Sequence, residues 1–369
     1  MPRPENKREM PQMAQMRQAA RMFYKDKLSK ADIAQRFDVD PRKVTWLLEQ
    51  AEQFGIVKIT VEETGVSELE APLREKFPHL QRVLIVSGPE VERVEQYQPV
   101  FLSRAAQVAA DYFDELVEAQ EQKSNRPFRV CISGGESWLE FANAIKDRPR
   151  KNLYIHVAAL IGRGNVGTAM HIDPIVNASV LWSHAGRIAG RCIYSTVPPY
   201  NVSKPGPQAR EAVREQLEEL RQLSPVRDGL ADVTADKIDV ALAGIGVVNP
   251  AAVDPALRDR ISSTVLLRSI VRPATLAKEG GQGEISYCPF NQDGADPENQ
   301  WRFFLTAGEC DENQERRGLG FYKAMCAAAK PVIAIAGPYK VEPIQAALKG
   351  RLINVLITNE HTARELVEA

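Results

Sequence analysis

Four glycine-bearing segments carry the residue types from which a ligand site can be built. They are Ser133-Gly134-Gly135-Glu136-Ser137, Gly162-Arg163-Gly164-Asn165, Gly244-Ile245-Gly246 and Gly337-Pro338-Tyr339-Lys340. Glycine lets backbone approach a ligand closely, and free N–H groups at a helix start favour an anion. Ser133 and Ser137 add hydroxyl donors, while Arg163 and Lys340 could neutralise a phosphate or a carboxylate. Glu136 opposes a phosphate in the same loop and would instead accept hydrogen bonds from a neutral sugar hydroxyl. Both ligand classes stay open on these residues.

Catalytic chemistry is harder to assemble. Glu136, Glu284 and Asp293 could serve as a base, but no histidine or paired carboxylate marks one of them out. An aldose–ketose isomerase or deaminase is therefore the alternative reading, and a binding protein without enzymatic activity the preferred one. The five cysteines, Cys131, Cys192, Cys288, Cys310 and Cys326, are scattered, with no CxxC pair. No metal, disulfide or cofactor is expected from that spacing.

A second set of residues suits duplex DNA. Arg42 and Lys43 can donate to guanine edges, Thr45 can meet a thymine methyl, and Trp46 lies beside them. Lys30, with Lys27 and Arg36, is spaced to hold phosphates, which set position rather than sequence.

The elements that would carry these residues are two short helices. Ser29-Lys30-Ala31-Asp32 has the form of a helix cap, and Ile33, Ala34 and Phe37 give the helix one apolar stripe. Asp38-Val39-Asp40 turns the chain, and Asp40-Pro41 starts a second helix whose inner face is Val44, Leu47, Leu48 and Ala51, running to about Phe54. A leading helix is expected over Ala14–Tyr24 and a strand over Ile56–Val61. A helix pair with so short a turn is the helix-turn-helix pattern, whose second helix enters the major groove.

The glycine segments follow apolar runs. These are Val83–Val86, Arg129–Ile132, Ile155–Leu160, Val240–Ala243, Val332–Ala336 and Asn354–Thr358, with helices expected at Leu102–Gln122, Pro207–Gln222 and Glu342–Lys349. Continuous rather than alternating runs suit strands buried on both faces of a parallel sheet, so the fold class is a doubly wound, Rossmann-like α/β domain behind a helix-turn-helix. Ligands of such sheets bind beyond the strands' carboxyl ends, which is where the glycine segments stand. The division expected is residues 1–61 for DNA binding, 62–71 as an acidic linker, and 72–369 for effector binding and oligomerisation.

Charge agrees with that division. Residues 1–60 hold 12 Lys and Arg against 8 Asp and Glu, and the remainder holds 35 against 40. A cationic head on an anionic body suits contact with phosphates at the front end. No apolar stretch approaches a membrane span, and the N-terminus lacks an apolar signal core, so a cytoplasmic protein is expected.

The chain resembles the SorC family, named for the sorbitol-operon regulator, of bacterial transcription regulators. Leu28–Ala34 is similar to the family's helix-turn-helix entry, Gly55–Ile59 to the strand after its recognition helix, and Asp239–Gly246 to its central strand and loop. The closing segment Leu352–Glu360, with Thr362-Ala363-Arg364, is the most specific match. The resemblance implies an effector domain related to glucosamine-6-phosphate deaminase and ribose-5-phosphate isomerase, without their activity. It further implies a sugar or sugar-phosphate effector and assembly as homodimers or homotetramers. The family's ligand loop falls on Ser133, Gly134, Gly135 and Ser137, its acidic residue on Glu284 (where Asp is usual), and its lysine on Lys340. Trp46 stands where Arg is common, and residues 294–320 match the family poorly.

Overall fold

The computed structural model describes residues 9–26, 28–53, 57, 67–86, 94–145, 153–160, 173–184, 207–248, 273–297 and 304–369. Lys27, Cys192, the segment Gly162-Arg163-Gly164-Asn165 and, apart from Val57, the expected strand over Ile56–Val61 lie outside them. The chain divides into two compact units, Met1–Glu63 and Thr64–Ala369.

The first unit contains α1 (Glu9–Ala20), α2 (Lys30–Phe37) and α3 (Pro41–Gln53). The leading helix begins earlier than its apolar spacing suggests and continues through Arg21–Lys25 as a wider π-type turn. Ser29 caps α2 in both directions: its Oγ accepts from the Asp32 N–H at 3.1 Å, and its own N–H donates to the Asp32 carboxylate at 3.2 Å. The Ser29 hydroxyl also donates to the Asp32 carboxylate at 2.5 Å, and this bond, with that from the Ser29 N–H, holds the Asp32 carboxyl below its ordinary range. Asp38 closes α2 in the left-handed conformation, with φ 51°, a backbone state that Asp tolerates better than most residues. Asp40 then accepts the Arg42 N–H at 2.7 Å and starts α3. Ile33, Ala34, Val44, Leu47, Leu48 and Ala51 bury against Met16, Ala19 and Ala20 in one apolar cluster. The small Ala34 sits in that cluster, where a larger side chain would push the two short helices apart.

The second unit is built on a six-stranded sheet. Its strands are β1 (Arg82–Val86), β2 (Phe128–Ile132), β3 (Leu153–Val157), β5 (Val240–Ala243), β10 (Val332–Ile335) and β11 (Val355–Asn359), in the order β1-β11-β10-β5-β2-β3. Every neighbouring pair is parallel. Alternation explains the continuous apolar runs. Val130, Ile132, Ile333, Ile335, Val355 and Ile357 enter one core layer, whereas Cys131, Val332, Ala334 and Leu356 enter the other. With helices on both faces, both sets of side chains are predominantly apolar.

The order of the strands creates a switch point. From β2 the chain steps outward to β3, then returns to place β5 on the other side of β2 before β10 and β11 continue away. The carboxyl ends of β2 and β5 therefore flank a crevice, with β10 next to it.

Two expectations are corrected, and one segment left open is placed. The run Ile155–Leu160 is not one strand: β3 ends at Val157, and β4 (Ala159–Leu160) leaves the sheet to pair antiparallel with β9 (Leu305–Thr306). The end of the segment read as a linker is helical, since Ser67–Leu69 forms a 3-10 turn and α4 (Glu70–Lys76) follows it. Within 294–320, the residues from Phe304 onward belong to the body. Thr306 and Glu309 are buried, and Glu309 accepts from Arg221 at 2.5 Å.

The remaining elements are α5 (Val94–Lys123), α6 (Glu136–Ala144), α7 (Pro174–His184), α8 (Pro207–Gln222), α9 (Ser224–Leu230), β6 (Ile245–Val247), α10 (Pro273–Lys278), β7 (Gly283–Ile285), β8 (Cys288–Phe290), α11 (Leu319–Ala327), α12 (Val341–Lys349) and α13 (Glu360–Glu368). Strands β6, β7 and β8 form an antiparallel meander. Among the described residues, no helix is long and apolar enough to cross a membrane.

Candidate functional site

Three strand ends build one cleft at the switch point. After β2, Ser133 donates its N–H to the Leu242 carbonyl of β5 at 2.9 Å, which ties the loop to the neighbouring strand. Gly135 then takes φ 104° and ψ 158° ahead of α6, a region open in practice to glycine alone. After β5, Gly244 lies against that loop. A Cβ there would stand 3.2 Å from both the Gly134 carbonyl and the Ser133 hydroxyl. After β10, Gly337-Pro338-Tyr339-Lys340 leads into α12. A Cβ on Gly337 would come within 2.4 Å of the Phe101 ring, so this glycine exists to let α5 approach.

A fourth wall comes from the meander. Its β7–β8 turn is Ser286-Tyr287, with φ 47° and 68°, between the paired residues Ile285 and Cys288. Positive φ at both positions is the type I′ hairpin, which ordinarily takes Asn-Gly. A serine and a tyrosine there store backbone strain. Tyr339, also at positive φ (71°), lines the same cleft. Three non-glycine residues at positive φ thus line one cleft.

The cleft is open to solvent and is lined by Ser133, Gly134, Gly135, Glu136, Ser137, Gly244, Glu284 and Lys340. These eight sequence-derived candidates are therefore brought together. Gly246 is not on the lining; it pairs with Glu284 in the β6–β7 ladder. Arg163 lies outside the described residues. Sequence reasoning missed Phe101, Trp138, Ser286 and Tyr287 on the wall, and it named Tyr339 only as part of its glycine segment. It also missed Asn177 of α7, whose amide donates to the carbonyls of Ser133 at 3.2 Å and Gly135 at 3.0 Å.

The electrostatics are mixed. Lys340 donates its ammonium to the Ile245 carbonyl at 2.6 Å. Burial draws its pKa down from the ordinary lysine value, and Glu284 and Glu136 oppose that shift. Glu284 is buried, and its carboxylate accepts the Tyr287 N–H at 2.5 Å. Burial and the adjoining Glu284 and Asp173 raise the Tyr287 phenol well above its usual range. The Ser133 hydroxyl is buried with no hydrogen-bond partner among the described residues. Such an atom costs free energy unless a ligand or water meets it. Among the described residues, no group of three or more His, Cys, Asp or Glu is placed to hold a metal ion.

In the first unit, Lys30, Arg42 and Lys43 are exposed, while Thr45 and Trp46 are half-buried. The Lys43 ammonium sits 3.6 Å from the centroid of the Trp46 ring, close enough for a cation–π contact. Trp46 also packs on the apolar cluster of the three helices. The Thr45 hydroxyl donates back to the Pro41 carbonyl at 3.3 Å.

Residues 61–368 match the Sugar-bind family, described as "Putative sugar-binding domain". The chain is 25% identical over 352 residues to the transcriptional regulator LsrR of Enterobacter sp. (strain 638), covering 94% of this chain and 90% of that protein. It is 24% identical over 354 residues to the sorbitol operon regulator of Klebsiella pneumoniae, covering 95% and 96%. The crystal structure of full-length SorC from Klebsiella pneumoniae shares the fold with a TM-score of 0.62 at 19% identity, over 95% of this chain and 97% of that one. These relatives are regulators, not enzymes. A sugar-binding domain matched over residues 61–368, most of this chain, and following three helices, places this chain in the SorC family of sugar-binding transcriptional regulators.

Proposed function

We propose that this chain is a sugar-responsive transcriptional regulator of a carbohydrate-metabolism operon. Its residues 1–61 hold operator DNA, and residues 72–369 hold a sugar or sugar-phosphate effector and assemble homodimers or homotetramers in the cytoplasm. Lys30 grips phosphate, Arg42 and Lys43 read base edges, and Thr45 and Trp46 support them. The effector lies among Ser133, Gly135, Glu136, Ser137, Glu284 and Lys340. The observation that supports this reading is the cleft itself: a glycine-lined opening at the switch point of a sugar-binding-family domain, in a chain that also exposes Arg42 and Lys43 on its third helix.

Regulation then follows from linkage. An effector that prefers one arrangement of the assembly shifts DNA affinity by its differential affinity for the two, typically about 5–150-fold. The test is a gel shift on the DNA upstream of the chain's own operon. Arg42→Ala and Lys43→Ala should each weaken binding by tenfold or more, and the wild-type affinity should fall steeply with salt. Salt-insensitive binding that survives both substitutions would refute the assignment.

A further inference from the structure

Phosphate is favoured by backbone N–H groups and cations around the bound group, and carboxylates beside it oppose it. The described charged side chains on this cleft are Glu136, Glu284 and Lys340, two carboxylates against one ammonium. A phosphate at the start of α6 would meet Glu136, the first residue of that helix. Lys340 donates one of its three N–H bonds to the Ile245 carbonyl at 2.6 Å, and its single positive charge stands in the field of both carboxylates. Glu284 is held in place by the Tyr287 N–H and is nearly inaccessible to bulk solvent. A carboxylate so placed is an acceptor for ligand hydroxyls. The buried Ser133 hydroxyl has no partner among the described residues and can both donate and accept. The rings of Phe101, Tyr287 and Tyr339 supply apolar wall, as hydroxyl-bearing ligands with C–H faces require.

We infer that the cleft takes an uncharged, hydroxyl-rich ligand, a free sugar or polyol, bound through the carboxylates of Glu136 and Glu284, and that it discriminates against the phosphorylated form. The inference rests on the reading of this cleft as the effector site.

Calorimetry and thermal unfolding of the full-length chain test it with matched pairs. The probes are glucose, fructose, ribose and glucitol, the phosphate monoester of each, and inorganic phosphate. Each phosphorylated probe should bind at least tenfold more weakly than its parent wherever either binds. Independently of which sugar is found, Glu136→Gln/Glu284→Gln should bind inorganic phosphate at least tenfold more tightly than wild type, and adding Lys340→Met should erase the gain. Glu136→Gln alone, at a half-exposed position, should show a smaller gain and serves if the double variant folds poorly. A phosphate ester that binds wild type more tightly than its parent, or no gain of phosphate affinity in either variant, overturns the inference. The same titrations in the presence of operator DNA separate the two claims. A phosphorylated sugar that binds and alters DNA affinity sinks the ligand class and leaves the regulator standing. A free sugar that binds without altering DNA affinity does the reverse.

Discussion

At the scale of single residues, chemistry outside the cleft has measurable consequences. His156 of β3 is buried, and neither ring nitrogen has a hydrogen-bond partner among the described residues. Burial lowers its pKa from 6.5 to about 4, with Asp232 opposing and Arg129 and Lys237 adding to the shift. The folded state therefore holds this ring neutral where the unfolded chain would already protonate it. Stability linked to His156 is complete above pH 6.5 and is lost as the pH falls toward 4, by up to about 1.4 kcal/mol per pH unit. Urea unfolding across that window should show His156→Leu with a shallower pH dependence than wild type. Identical slopes would mean that the ring is not neutral in the fold. Residue types alone were enough to find the polar side of the cleft, because Ser133, Glu136 and Lys340 follow apolar runs directly. Tyr287 and Ser286 were not legible, since a Ser-Tyr pair gives no hairpin signal where Asn-Gly would.

Elements position the site, and they do so over distances that sequence spacing does not report. The capping of α2 was legible because Ser29 and Asp32 lie one turn apart and their bonds are local. All six sheet strands were legible in place, though the run at β3 was drawn too long, because burial on both faces writes a largely apolar run. Asn177 was not. It sits 44 positions beyond Ser133, and only the packing of α7 against α6 brings its amide to the glycine loop. Asn177→Ala should leave the carbonyls of Ser133 and Gly135 without that donor, at a cost of about 1–3 kcal/mol in stability. Because the loop also forms a cleft wall, effector affinity should fall at least as much as global stability does. Paired thermal unfolding and calorimetry, with whichever of the probe sugars binds, compare the two losses. A destabilised variant with unchanged ligand affinity would show that α7 braces the core and leaves the loop's geometry to its glycines.

For the whole molecule, the question is how many DNA-reading units act together, and ionic strength can count them. Each DNA phosphate that a bound protein neutralises contributes about 0.9 to the slope of log affinity against log salt. Lys30 is exposed at the start of α2 and is assigned to phosphate rather than to a base, so Lys30→Ala should weaken all operator variants alike. In a complex with one engaged unit, the slope should become shallower by about 0.9; with two units on paired half-sites it should change by about 1.8. Fluorescence anisotropy between about 50 and 200 mM salt spans the range in which such slopes are resolved. Arg42→Ala provides the contrast. A base-reading arginine should relax discrimination at one operator position, by about 1–3 kcal/mol, in addition to its share of the salt dependence. A Lys30→Ala slope equal to wild type would remove Lys30 from the phosphate backbone, whatever the number of units bound. A change near 1.8 would establish that two copies of the first unit grip one operator, the arrangement through which an effector cleft on each copy could set their joint affinity.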